Sequence, residues 1–218
     1  MKTPTTVAPP PIGLAPSSLV PPPELFTHAS TLHGQAHVAR VMIHAFRLIA
    51  VTGWTEEAPA LWAAVYLHDI ARTHDGLCHR HGGDAMRKFE ARPDLRALFA
   101  QAGVRDSDYA AIHTAVVHHC LPKELDRAHP HWRLTSLLKD ADGLDRVRLG
   151  DLDPRYLRHP QSREMVGFAE ALFNATDDRI AVGPDHFAAL WPEAARILAG
   201  IDADARYAPT ICTSSPLS

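Results

Sequence analysis

A histidine followed directly by an aspartate, His68-Asp69, closes the apolar run 60–67. Burying a carboxylate and an imidazole among apolar side chains costs several kcal/mol unless the two groups are paired or bind a cation. Arg72 follows three residues after Asp69, a spacing that on a helix places the guanidinium on the same face. We therefore interpret this stretch as two metal ligands beside a group that can hold an anion.

Two other predicted helices carry residues of the same types. In the helix predicted at 30–52, His37 lies on a stripe of residues spaced by three and four. In the helix predicted at 132–149, Asp142 falls in the interior, and such conflicts with helix propensity tend to mark functional sites. Asp140 competes with it, but we expect Asp140 to point to another face. His37 and Asp142 are therefore candidates to join the His-Asp pair.

The spacing of apolar residues predicts helices throughout, and no strand pattern or internal repeat stands out. The predicted helices cover residues 30–52, 55–72, 84–91, 93–102, 106–120, 132–149, 161–175 and 185–201. The predicted class is all-α, a single compact helical domain. We expect a disordered Pro-rich arm at 1–23, a helical domain at 24–201 with its motifs within 30–150, and a flexible tail at 202–218.

Composition narrows the possible functions. The chain has 218 residues and a formal charge of -3, with basic residues scattered, so we expect no nucleic-acid polymer as partner. The 15 histidines favour metal binding or acid/base chemistry. Cys78, Cys120 and Cys212 form no CxxC pair and are odd in number, which argues against a disulfide framework and a zinc knuckle. With no apolar run of ~20 residues, we predict a soluble, cytoplasmic protein without a membrane partner.

The ordered set His37, His68-Asp69 and Asp142 resembles the HD-domain metal-dependent phosphohydrolase superfamily, whose pattern is a His, a His-Asp pair and a distant Asp. The segments similar to its first, name-giving and closing motifs are His37-Val38-Ala39-Arg40-Val41, His68-Asp69-Ile70-Ala71-Arg72 and Ala141-Asp142-Gly143-Leu144-Asp145. The resemblance covers about residues 30 to 150. It implies a helical domain of the HD type that binds a divalent metal through His37, His68, Asp69 and Asp142.

A second set of histidines is similar to the additional ligands that some HD families use for two ions. The set is His81, His113, His118 and His119, of which His81 and His118 are the candidate ligands. The residues after His118-His119 are not those of the HD-GYP family, which argues against that family's hydrolysis of cyclic di-GMP. Mixed nitrogen and oxygen ligands suit Mn, Fe, Co, Ni, Zn or Mg, and one or two ions remain open.

The resemblance implies hydrolysis of a phosphoester bond by a metal-activated water. The expected partner is a small phosphorylated substrate: a nucleotide, a cyclic nucleotide or a small phosphodiester. The candidate catalytic residues are Asp69, Arg72, Asp145 and Arg146, with Arg40 as a further candidate for holding phosphoryl oxygens. Two alternatives stay open: a mixed-valent diiron oxygenase, in which Arg72 stands where a further histidine is usual, and a non-catalytic helical module that binds a nucleotide or a partner.

Overall fold

The computed structural model describes residues 12–176 and 186–207, with side chains up to Ile201, and all the regular elements in these ranges are helices. The predicted all-α class is confirmed for this part of the chain. The α-helices are α1 (Gln35–Thr52), α2 (Ala58–Leu67), α3 (His81–Glu90), α4 (Pro93–Gln101), α5 (Tyr109–His119), α6 (Trp132–Leu144), α7 (Pro160–Glu164), α8 (Val166–Thr176) and α9 (His186–Tyr207). None of them combines the length and the apolarity that a membrane crossing requires.

Helix α1 is the axis of the molecule. It is buried almost all round and packs against α2, α6 and α9. Gly53 ends it in the left-handed conformation, with φ 74° and its N–H donating to the carbonyl of Ile49 at 2.9 Å, as the sequence predicts. A helix enclosed on every side offers a rigid base for any polar side chain that it carries.

Helix α2 is apolar on all faces, which is the pattern of a buried helix. It lies against α1, α5 and α6. It ends at Leu67, earlier than predicted, and the chain continues in tighter turns in which Ile70 N–H donates to Leu67 O at 3.3 Å and Arg72 N–H to Asp69 O at 3.2 Å. The His-Asp pair therefore follows directly on the most apolar helix and stays buried.

Residues 12–23 differ from the predicted disordered arm. Leu19 and Val20 are fully buried, and the Trp62 indole donates to the carbonyl of Leu19 at 3.0 Å. Prolines limit this segment to a short 3-10 turn, Pro16–Ser18, and leave it without a periodic apolar pattern, but its few apolar side chains cover the core. The prediction of disorder is wrong for 12–23, and residues 1–11 lie outside the described residues.

Other boundaries also differ. The predicted helix at 132–149 ends at Leu144 and continues as a 3-10 helix, Asp145–Leu149, which turns the carboxylate of Asp145 toward Arg40 in α1. The predicted helix at 161–175 is split into α7 and α8. Helix α9 continues to Tyr207, so the predicted tail is helical at its start. The remainder of that tail, 208–218, and residues 177–185 lie outside the described residues.

His44 in α1 is fully buried, and neither of its ring nitrogens has a hydrogen-bond partner among the described residues. Its ring packs edge-on against Phe168, with centroids 5.8 Å apart. Burial lowers the pKa of His44 to about 4, although Asp145 opposes this shift. The fold therefore holds His44 as a neutral imidazole.

His44 should make the fold sensitive to acid. Below pH 6.5 the unfolded chain protonates His44, whereas the folded chain resists until about 4, so stability is lost across this window as the pH falls. The full shift corresponds to about 3 kcal/mol. We expect His44→Leu to lose less unfolding free energy than the wild type between about pH 7 and about pH 4, measured by urea unfolding. The control is His113→Leu, at an exposed position on α5; an equal pH dependence in all three proteins would contradict the prediction.

Candidate metal centre

The predicted ligands meet where three helices approach one another. His37 lies in the first turn of α1, His68-Asp69 follows α2, and Asp142 lies in the last turn of α6. His37 Nε2 is 3.2 Å from His68 Nε2, 3.5 Å from Asp69 Oδ2 and 3.3 Å from Asp142 Oδ1. Residues from His37 to Asp142, 105 positions apart in sequence, thus place four donor atoms around one point.

The hydrogen bonds of His37 and His68 fix which ring nitrogens face this point. His68 Nδ1 donates to the carbonyl of Val65 at 2.7 Å, and His37 Nδ1 donates to Asp145 Oδ2 at 2.7 Å. A neutral imidazole that donates from Nδ1 carries a bare lone pair on Nε2. If both rings are neutral, the two Nε2 lone pairs face each other, which is repulsive until a proton or a metal cation lies between them.

A second pair repeats this arrangement. His81 Nδ1 donates to the carbonyl of Cys78 at 2.9 Å, and His119 Nδ1 donates to that of Val116 at 2.6 Å. Their Nε2 atoms lie 2.9 Å apart. Bonds from Nδ1 to a carbonyl or carboxylate are the usual way in which proteins orient histidine ligands of metals.

The Asp69 carboxylate lies between the two pairs. Its Oδ2 faces His37 and also His33 Nδ1 at 3.0 Å, whereas its Oδ1 lies 3.1 Å from His81 Nε2 and 3.8 Å from His119 Nε2. Burial opposes ionisation, but the surrounding histidines hold the pKa of Asp69 well below its usual range. Asp69 is therefore an anion that can contribute one oxygen to each pair.

Gly82 allows α3 and α5 to approach closely enough to bring His81 to His119. A Cβ at Gly82 would overlap the carbonyl oxygen of Val116 and lie 3.0 Å from its carbonyl carbon. At the next position, a Cβ on Gly83 would meet only the end of the Arg87 side chain, at 3.7 Å. Glycine at position 82 is thus a condition for the second histidine pair.

A buried ionic network supports His37 from behind. Asp145 is fully buried and accepts hydrogen bonds from Arg40 at 2.5 Å and 3.1 Å as well as from His37. Burial and Arg148 lower the pKa of His37, but its bonds to Asp142 and Asp145 outweigh them and raise it. Positive charge is therefore favoured at the centre of the cluster, whether a proton or a metal provides it.

Two clefts open beside the cluster. The first, which we call the loop cleft, has a volume of about 420 Å³ and is lined by parts of 72–79, 120–122 and 146–149. The second, the α6 cleft, has about 410 Å³ and is lined by parts of 139–146 and 151–158. His119, Asp142 and Arg146 line both. The metal-ligand candidates therefore form the boundary between two cavities large enough for small molecules.

Two buried guanidinium groups in the loop cleft retain unpaired N–H groups. Arg72 Nε and Arg148 Nη1 have no partner among the described residues. Arg72 is held by the carbonyl of Gly76 at 2.8 Å, and Arg148 by that of Leu32 at 2.8 Å. Both cations are therefore fixed in place in the wall of the cleft.

The other predicted site residues lie as follows. Asp145 has no contact with either cleft and holds His37, and Arg40 lies beneath it with its guanidinium 5.3 Å from the centre of the Phe173 ring. Arg146 lines both clefts and pairs with Asp151. Asp140 points away from the cluster, as expected, and accepts from the Arg158 and His159 backbones.

The structure brings His119 into the cluster in place of His118. His118 turns out of the histidine pair, and its Nδ1 has no partner among the described residues. The sequence does contain a signal for this choice, because His119 continues the buried stripe of Ile112 and Val116 at steps of four and three. His33 and Arg148 were not among the predicted site residues although both lie within predicted helices, 30–52 and 132–149; the structure places His33 before α1 and Arg148 in the 3-10 helix after α6.

The donor set fits a divalent metal ion. There are three sets of residues whose ligand atoms, within each set, lie no more than 4.8 Å apart. The sets are His37, His68 and Asp142; His33, His37 and Asp69; and His81, His119 and Cys120. The bare Nε2 atoms and the anionic Asp69 are the donor types that Mn, Fe, Co, Ni and Zn accept. The buried His/Asp cluster could therefore hold a metal ion.

Comparisons of the chain with protein-family models, with curated proteins and with solved structures found no match. Membership of the HD superfamily stays a prediction from the motifs.

Gly82→Ala should separate the two histidine pairs. The added methyl group must push α3 away from α5, because it meets the backbone of Val116. We expect a loss of stability of about 1–3 kcal/mol, typical of overpacking, and weaker binding of Co²⁺ or Mn²⁺ by calorimetry.

Gly83→Ala is the matched control, since alanine in a helix is favoured over glycine by about 1 kcal/mol and meets no backbone there. Equal metal affinity in the two variants would show that the approach of α3 to α5 does not matter for the site.

Proposed function

We propose that this protein is a metal-dependent phosphohydrolase that cleaves a phosphoester bond in a nucleotide, a cyclic nucleotide or a small phosphodiester. The observation that carries the proposal is the pairing of two features at one cleft. Ring nitrogens of four histidines converge around the anionic Asp69, and the cationic side chains of Arg72 and Arg148 line the same cleft. Sites for cations beside donors for an anion suit phosphoryl transfer.

His37, His68, Asp69 and Asp142 would hold one cation, and His81 and His119 would hold a second with Asp69 between them. Divalent ions bound in this way lower the pKa of a water molecule toward ~7 and neutralise charge on phosphoryl oxygens. Asp69 would bridge the two ions, because its Oδ2 faces the His37–His68 pair and its Oδ1 faces the His81–His119 pair.

The protein's own side chains would position the substrate. Arg72 and Arg148 would donate to the free phosphoryl oxygens, and such charge-assisted bonds are the stronger kind. Arg146 would need to leave Asp151 in order to contribute, since these two are paired. Asp145 would act by orienting His37, because it is fully buried and already accepts three hydrogen bonds.

The clefts favour a substrate with a substituent larger than phosphate. The α6 cleft carries the exposed ring of Tyr156 and the buried side chain of Leu157, a surface that suits a planar base. The loop cleft carries the exposed Leu77 beside the two arginines. A nucleotide or small diester could occupy one or both clefts with its phosphate at the cluster.

A mixed-valent diiron oxygenase is the second candidate. The observation that favours it is the His81–His119 pair, which enlarges the nitrogen ligand set. This function predicts two irons per chain and consumption of oxygen with an organic substrate. Arg72, whose guanidinium lies 3.6 Å from Asp69, stands against it because a guanidinium cannot ligate iron.

The first test is product formation from a panel of nucleotides, cyclic nucleotides and p-nitrophenyl diesters with added Mn²⁺. We expect turnover in the wild type and a loss of at least about 100-fold in His68→Ala, because a metal ligand is removed. His113→Ala, at an exposed position, is the control. No turnover on the panel, with oxygen uptake in the iron-loaded protein, would replace the hydrolase by the oxygenase. Neither activity would favour the non-catalytic binding module.

Arg72→Ala should chiefly weaken substrate binding. Loss of a charge-assisted hydrogen bond of about 1.5–3 kcal/mol raises KM or lowers kcat/KM by roughly 10–100-fold. Arg87→Ala, which removes an exposed arginine paired with Asp84, is the control and should match the wild type. Unchanged kcat/KM in Arg72→Ala would exclude this arginine from substrate binding.

A further inference from the structure

Cys120 lies beside the second histidine pair. It is the first residue after α5, directly following His119, and its half-buried side chain lines the loop cleft. Its Sγ, a ring nitrogen of His81 and a ring nitrogen of His119 all lie within 4.8 Å of one another. A sulfur atom is therefore within reach of any cation that this pair binds.

The thiol is not committed to a strong interaction elsewhere. Its hydrogen bond to the carbonyl of Val117, at 3.6 Å, is weak because thiols are weak donors. Exchanging this bond for coordination would therefore cost little. A thiol that coordinates a divalent ion loses its proton, so the proton leaves to solvent as the sulfur–metal bond forms.

Three donor atoms of the second pair are already in place among the described residues: His81 Nε2, His119 Nε2 and Asp69 Oδ1. His81 Nε2 lies 2.9 Å from His119 Nε2 and 3.1 Å from Asp69 Oδ1, and Cys120 would add the fourth donor. Arg72 also adjoins Asp69 Oδ1, at 3.6 Å, but a guanidinium has no lone pair to offer. Among the described residues, the metal-ligand set around His81 and His119 includes Cys120 and not Cys78.

We propose that Cys120 is a sulfur ligand of the second cation, together with His81, His119 and Asp69. This inference rests on the metal centre of the proposed function and adds a thiolate to it. A donor set of two nitrogens, one oxygen and one sulfur selects Zn²⁺, Co²⁺ or Fe²⁺ over Mg²⁺ and Ca²⁺, because the hard cations bind oxygen and not sulfur. The two halves of the site would thus differ in the metal that they prefer.

Cobalt provides a test that does not depend on catalysis. The full-length protein is stripped of metal with a chelator and titrated with Co²⁺ under reducing conditions, and its near-ultraviolet and visible absorption is recorded. A thiolate ligand gives an intense sulfur-to-cobalt charge-transfer band, whereas nitrogen and oxygen ligands give weak visible bands alone. We expect the band in the wild type.

Matched cysteine variants assign the sulfur. Cys120→Ser should lose the charge-transfer band. It should also bind cobalt at the second site roughly 10–100-fold less tightly, because loss of even an outer-shell partner of a metal has an effect of this size. Cys78→Ser, at the other cysteine of the same cleft, should keep both. Circular dichroism of the metal-free proteins checks that the variants are folded, and the wild-type band stands as evidence even if one variant is not.

Three results would overturn the proposal. Cobalt bound without a charge-transfer band would remove the thiolate while leaving the metal centre and the proposed hydrolase intact. A band that persists in Cys120→Ser and vanishes in Cys78→Ser would assign the sulfur to Cys78. Failure of the wild type to bind cobalt at all would remove the metal centre, and with it the proposed function.

Discussion

The structure depends on one buried anion, the carboxylate of Asp69. An isolated carboxylate in a protein interior is expensive, and this one follows the most apolar helix of the molecule. Its neighbours include the imidazoles of His33, His37, His81 and His119. The Nε2 atom of His37 lies against that of His68, and the Nε2 atom of His81 against that of His119, so neutral rings would repel each other until a proton or a metal cation lay between them.

The positions of these imidazoles are set by residues that line neither cleft. On one side, the buried pair of Arg40 and Asp145 fixes the ring of His37 from behind. On the other side, Gly82 lets two helix backbones approach until His81 meets His119. A histidine ligand needs its second nitrogen anchored, and here backbone carbonyls and one carboxylate do this.

The sequence alone predicted the helical class, and it singled out His37, His68, Asp69 and Asp142, which the structure brings together in a cluster that could hold a metal ion. It could not decide between His118 and His119, because adjacent residues on a helix point about 100° apart and the choice depends on which face α5 turns to α3. It also missed the packing of residues 12–23, since apolar residues between prolines show no period although they are buried. Local periodicity reports regular elements, not contacts between distant segments.

The charges around the cluster indicate why a site that held metal cations would also bind an anion such as phosphate. Near the cluster, Asp69, Asp142 and Asp145 are opposed by Arg40 and Arg148, with Arg72 beside Asp69. Adding divalent cations would overturn this balance and leave an excess of positive charge in the loop cleft. Arg72 and Arg148 line this cleft, and each holds one N–H group without a partner among the described residues. A phosphate group, with several acceptor oxygens and negative charge, meets both the electrostatic and the hydrogen-bonding requirement at once.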